Sequence, residues 1–122
     1  MASFYVAGSS SIFNAKKVQD LIDYLCNELG YEVPNNWVTT PMNCERCLAS
    51  AVEADYMVVL GGDHSIGTMV EIGARLGAGK TLNVIGQIQE FWQAHSGIYS
   101  YSDESDFLDA AAAGFITPRL VT

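Results

Sequence analysis

The sequence predicts an α/β domain built on a parallel sheet, and three observations carry that prediction. Short apolar runs alternate along the chain with longer stretches of helical periodicity. The run Tyr56-Met-Val-Val-Leu60 is unbroken between Asp55 and Gly61-Gly62, which suits a central strand covered on both faces. Loops rich in glycine and hydroxyl groups follow the first and the central apolar runs, where such a sheet connects to its helices.

The elements follow in order. Ser3 to Ala7 reads as a buried first strand, with Gly8-Ser9-Ser10-Ser11 as the turn leaving it. From Asn14, apolar Val18, Leu21, Ile22, Leu25 and Leu29 fall on one helical face. Lys16, Lys17, Asp20 and Asp23 lie mostly opposite, and Gly30 is a stop signal. Tyr31-Glu-Val33 is a brief strand, and 34–41 a polar loop carrying Trp37. A second helix is predicted from about Asn43 to Ala54, before the central strand Tyr56–Leu60. Ser65 then caps a helix whose stripe is read as Ile66, Met69, Val70, Gly73, Ala74 and Gly77. Thr81 to Ile85 and Ile98 to Tyr101 are further strands, and Ser102 or Asp103 caps a last helix that Gly114 stops. The result is a flavodoxin- or Rossmann-like three-layer sandwich with about five parallel strands, and residues 1–122 are expected to form one domain.

Composition narrows the function. With 14 Asp+Glu against 6 Lys+Arg the net charge is −8, so a nucleic-acid polymer would be repelled over most of the surface. No apolar run is long enough to cross a bilayer, so no membrane partner is expected. The start, MASFYVAGSS, lacks a basic leader and reads as a strand. An odd set of three cysteines without export signals points to a reducing, cytoplasmic setting. Cys44-Glu-Arg-Cys47 is a lone CxxC, weak as a zinc or redox motif and read as two helix-face thiols; no metal or cofactor is expected.

Ala74-Arg-Leu-Gly-Ala-Gly-Lys-Thr81 imitates a phosphate loop, but it closes a helix and precedes a strand. A phosphate loop runs the other way, with backbone N–H groups and a helix start converging on the anion. The ATP reading fails on order alone. A ligand belongs instead beyond the carboxyl ends of the strands, between the loops Gly8–Ser11 and Gly61–Thr68. Their N–H groups, hydroxyls and helix starts could together hold an anion, although tight turns favour the same residues. On pattern alone, Glu71 and Arg75 form a solvated i, i+4 pair off the apolar stripe, worth a few tenths of a kcal/mol at most.

The segment from Ala54-Asp-Tyr-Met-Val-Val-Leu through Ser65-Ile-Gly-Thr-Met-Val-Glu71-Ile-Gly to Gly79-Lys80 resembles the nucleoside 2-deoxyribosyltransferase superfamily. Phe4-Tyr-Val-Ala-Gly-Ser9 resembles that family's first strand and glycine turn. The resemblance covers about the first 90 residues. It implies cleavage of an N-glycosidic bond, with Glu71 as nucleophile on C1′ and Tyr5 orienting it. Ser65, where the transferases carry Asp, resembles the branch that hydrolyses deoxynucleoside 5′-monophosphates. Gly8, Ser9, Ser10 and Gly67 would complete a phosphate cradle with it, and His64 is a further candidate. Members active on nucleosides have an Asp eight residues before the position of Asp55, and here that place is Cys47. The resemblance thus implies a small nucleoside or nucleotide as partner, and a homo-oligomer in which a neighbour helps close the pocket. Phe13, Trp37 and Trp92 are aromatic candidates for stacking on a base. The rival reading is a nucleotide-binding module without catalysis; a CxxC redox or zinc protein ranks below both.

Overall fold

A computed structural model describes residues 2–8, 12–40, 42–61, 66–86 and 95–114, the first three of the second stretch by backbone only. Among the described residues, four parallel strands form one sheet in the order β1 (Phe4–Ala7), β2 (Tyr56–Leu60), β3 (Leu82–Ile85) and β4 (Ile98–Tyr101). Register pairs Tyr5 with Met57, Val59 with Val84 and Leu82 with Ile98. The predicted strand at Tyr31–Val33 is reduced to a single parallel bridge between Glu32 and Ser3 on the free edge of β1. The sheet thus has four strands and a bridge where about five strands were expected. Three residues between Gly30 and Pro34 leave too little extended chain for more.

Counting that bridge as a position, the order across the sheet is that of a flavodoxin-like winding. The chain reverses direction across the sheet between β1 and β2, and a crevice opens at such a reversal beyond the strand ends.

Among the described residues, four helices cover the two faces. One face takes α1 (Ile12–Asp23), continued by a π-turn at Tyr24–Glu28, and α4 (Glu104–Ala112). Here Val18, Leu21, Ile22, Leu25 and Phe107 pack on Phe4, Val6, Val58, Leu60 and Ile85. Phe4 anchors an aromatic cluster, its ring 5.0 Å from Tyr31 and 5.9 Å from Phe107. The other face takes α2 (Cys44–Glu53) and α3 (Ile66–Gly77), over Tyr5, Ala7, Met57, Val59, Leu82 and Val84. The pleat sends alternate residues of β1 to opposite faces, which is why Tyr5 belongs to the α2/α3 side while Phe4 and Val6 do not.

Caps set the helix limits as the sequence indicated. The Asn43 side chain accepts from Arg46 N (2.8 Å) and that of Asp103 from Asp106 N (2.9 Å). Gly30 and Gly114 take the left-handed conformation after their helices, at φ 75° and 67°. One expectation fails. The stripe assigned to α3 is not its buried face: Ile66 is 83% exposed and Val70 is 49% exposed. The buried positions are Thr68, Glu71, Ile72, Arg75 and Leu76, also at i, i+3, i+4, i+7 and i+8. Among the described residues, no helix is long and apolar enough to cross a membrane.

Candidate active site

Three elements bring one polar cluster together: Tyr5 from β1, Cys47 from the first turns of α2, and Glu71 from the middle of α3. α3 leaves the carboxyl end of β2 and runs back along the sheet, so its inward face meets the α2/α3 side of β1. Glu71 shares that face with Ile72 and Arg75 and is 9% exposed. Its carboxyl group hydrogen-bonds the Tyr5 hydroxyl, which also reaches the Cys47 thiol. A phenol has one proton to donate, so Tyr5 can serve Glu71 or Cys47 at any moment but not both.

Burial dominates the electrostatics of this cluster. Desolvation pushes Glu71 up to about 7, against the pull of the Tyr5 hydrogen bond, which favours the carboxylate. Tyr5 is raised far above its usual range, first by burial and then by the charge of Glu71, so it acts only as a neutral donor. Burial also raises the Cys47 thiol, partly offset by Tyr5.

The ion pair expected between Glu71 and Arg75 does not form. Arg75 is 1% exposed and its guanidinium caps the end of α2. It donates to the carbonyls of Ala51 (3.0 Å), Ala54 (2.8 Å) and Asp55 (3.1 Å), and to Thr81 O (2.6 Å). Lys80 adds a bond to Val52 O (2.5 Å). Two cations therefore satisfy the open carbonyls and the negative end of α2. Glu71 is left with Tyr5 as its hydrogen-bonding partner among the interactions that set its ionisation.

The remaining candidates fall as follows. The Gly8 carbonyl accepts from Thr68 Oγ1 (3.1 Å), which ties the end of β1 to the first turn of α3. A Cβ on Gly8 would stand 3.2 Å from Val18 Cγ2, so close packing of α1 accounts for this glycine. Gly67 lies exposed in the first turn of α3. Ser9, Ser10, His64 and Ser65 lie outside the described residues, as do Trp92 and the side chain of Phe13. Trp37 donates from Nε1 to Val6 O (2.8 Å) and packs against both core clusters, sealing the edge of β1. Asp55 accepts from Ser3 N (2.9 Å), which joins the start of β2 to that of β1.

Two features escaped the sequence reading. Gly86 follows β3 at φ 89°, and its N–H extends the ladder to Tyr101 O (2.8 Å). A cleft of about 180 Å³ also runs beside Tyr5, Asn35, Ser50, Glu53 and Ala54, at the edge of β1 and the last turn of α2. Tyr5 lines it, but Glu71 does not. No group of three or more His, Cys, Asp or Glu placed to hold a metal occurs among the described residues.

No protein-family model matches the chain, and no curated protein matches it in sequence. Among solved structures, the Clostridium botulinum CMP N-glycosidase BcmB aligns over 90% of this chain and 99% of its own, with a TM-score of 0.58 and 23% identity. The likeness is one of fold. It extends the three-layer α/β architecture from the first 90 residues, where the motifs lie, to nearly the whole chain.

Proposed function

We propose that this protein cleaves the N-glycosidic bond of a nucleoside 5′-monophosphate, with Glu71 as nucleophile. The observation that carries the reading is a buried carboxylate held by a tyrosine hydroxyl beside the strand-order reversal, where this fold takes ligands. In the reaction, one Glu71 oxygen attacks C1′ as the bond to the base breaks. The base leaves with that electron pair and takes a proton, and the sugar becomes esterified to Glu71. Water then attacks C1′ and frees the carboxylate. Tyr5 holds one oxygen, so the other faces the sugar.

The likeness in fold to an enzyme named as a CMP N-glycosidase supports a monophosphate substrate. A 2′-deoxyribose is favoured on chemical grounds, since without a 2′-hydroxyl the oxocarbenium-like transition state forms more readily. The phosphate is assigned to the turns after β1 and before α3, through Gly8, Ser9, Ser10, Ser65 and Gly67, with His64 beside them. A homo-oligomer, one folded unit per chain and a cytoplasmic setting belong to the same proposal.

One observation favours a second reading. Cys47 faces Tyr5 and Glu71 where a carboxylic acid would assist the departing base, and a thiol raised by burial is a poor acid for that task. On this reading the pocket binds a nucleotide without cleaving it. Incubation with deoxynucleotides, CMP and the corresponding nucleosides, followed by chromatography for free base, separates the two. Base release that disappears in Glu71→Gln supports cleavage; thermal stabilisation without release supports binding; undiminished release by Glu71→Gln removes the nucleophile.

A further inference from the structure

The geometry points to a redox modification site: Cys44 and Cys47 form a reversible disulfide that withdraws the Cys47 sulfur from Tyr5 and so resets the Glu71 pair. All three cysteines are free, Cys44 exposed and Cys47 half-buried. Cys44 opens α2 and Cys47 lies one turn on, with its sulfur at the Tyr5 hydroxyl and within reach of the charges of Glu71 and Cys44. This places an exposed thiol, a second thiol and the candidate nucleophile in one contiguous line.

The spacing permits a bridge. Residues three apart in a helix have Cα atoms about 5 Å apart, within the roughly 4.4–6.8 Å that disulfides span. Their Cβ atoms, at about 5–6 Å, are wider than the roughly 3.5–4.5 Å of a relaxed bridge. The first turn of α2 must therefore tighten, where the Asn43 cap and the bond from Cys47 N to Asn43 O (3.1 Å) hold it. A strained bridge at an exposed helix start is the readily reduced, regulatory kind.

With a small-molecule disulfide as oxidant, the Cys44 thiolate attacks one sulfur and expels a thiolate. The Cys47 thiol then gives its proton to solvent and displaces the second thiolate. The protein loses two electrons and the oxidant gains them. Once bridged, the Cys47 sulfur no longer competes for the Tyr5 proton, and Tyr5 donates to Glu71 alone. The groups facing Glu71 are Tyr5 from β1 and Cys47 from α2, while Arg75 on its own helix is committed to the carbonyls around α2.

The test equilibrates the full chain in oxidised and reduced glutathione, followed by intact mass and peptide mapping. The expected result is loss of two hydrogens, a Cys44–Cys47 link, reversal by dithiothreitol and no bridge in Cys44→Ser. Cys26, packed in the opposite core, stays free as an internal control. A second readout follows Glu71 directly, as the difference in melting temperature between wild type and Glu71→Gln from about pH 5 to about pH 9. Its midpoint should fall by about half a unit or more on oxidation. A glutathione adduct alone, a disulfide between chains, or no oxidation overturns the proposal, as does a bridge that leaves the Glu71 midpoint unmoved. Any effect on turnover rests on the proposed glycosidase reading, but the bridge and the titration do not. A bridge and a shifted midpoint without base release would therefore count against that reading and not against this one.

Discussion

Glu71 is the residue on which the proposed function and the stability of the fold pull in opposite directions. Its carboxyl group stands at about 7 in the folded chain, above its ordinary 4.5, with burial as the first cause. A carboxyl raised on folding stabilises the fold fully at pH values below its unfolded value, and that contribution is lost as pH rises through about 7. The gap corresponds to about 3 kcal/mol spent on ionising it in place. Glu71→Gln should therefore abolish base release and yet raise the melting temperature at pH 8, with no gain at pH 4; thermal melts of both proteins at both values check this. The proposed reaction requires the carboxylate, so kcat should climb through about pH 7 in wild type. Tyr5→Phe removes the donor that favours the ionised form. It should move the rising limb of that profile to higher pH and lower kcat at pH 7 by about tenfold or more. An unshifted limb would mean that Tyr5 fills space without orienting Glu71.

At the scale of elements, most limits follow from caps and periodicity, because those signals are local. α2 begins behind Asn43, α4 behind Asp103, and β2 and β4 run over the predicted residues. What the pattern misreads is the face of α3. Hydropathy places Ile66 and Val70 inside and Glu71 and Arg75 outside, and the structure does the reverse. The reason is that burial of Arg75 depends on open carbonyls at the end of α2 and in the loop before β3, more than twenty residues away in the first case. No window of sequence contains them. The same holds for the meeting of Tyr5, Cys47 and Glu71, which lie on three elements. The family resemblance alone links Glu71 to Tyr5 and puts Cys47 where relatives carry an Asp, and the contact of that thiol with Tyr5 is a structural finding. Arg75 thus acts as a clamp between helices. Arg75→Met, which keeps bulk and removes the donors, should lower stability by about 3 kcal/mol or more, since several buried carbonyls lose their partners. The shift in urea midpoint measures it. Glu71→Gln, its neighbour one turn away, should instead be stabilising at neutral pH, a contrast that an ordinary ion pair between them would not give.

Over the whole molecule, the balance of charge sets how the proposed phosphate-bearing substrate would arrive. The chain carries −8 with six Lys+Arg, and three of these are committed: Arg75 and Lys80 to the end of α2, Lys16 to Asp20 at 3.0 Å on the surface of α1. A nucleotide dianion approaching this surface meets net repulsion, and any phosphate grip made of N–H groups and hydroxyls acts only at contact. Salt shortens the reach of the repulsion, from about 30 Å at 0.01 M to about 8 Å at 0.15 M, and leaves contact bonds nearly intact. KM for a monophosphate should therefore fall by about twofold or more as salt rises over that range, while KM for the uncharged nucleoside stays level. Steady-state kinetics on the pair of substrates decides the matter. A KM for the monophosphate that rises with salt would place a cationic side chain at the phosphate, against the cradle of serines and glycines proposed for it.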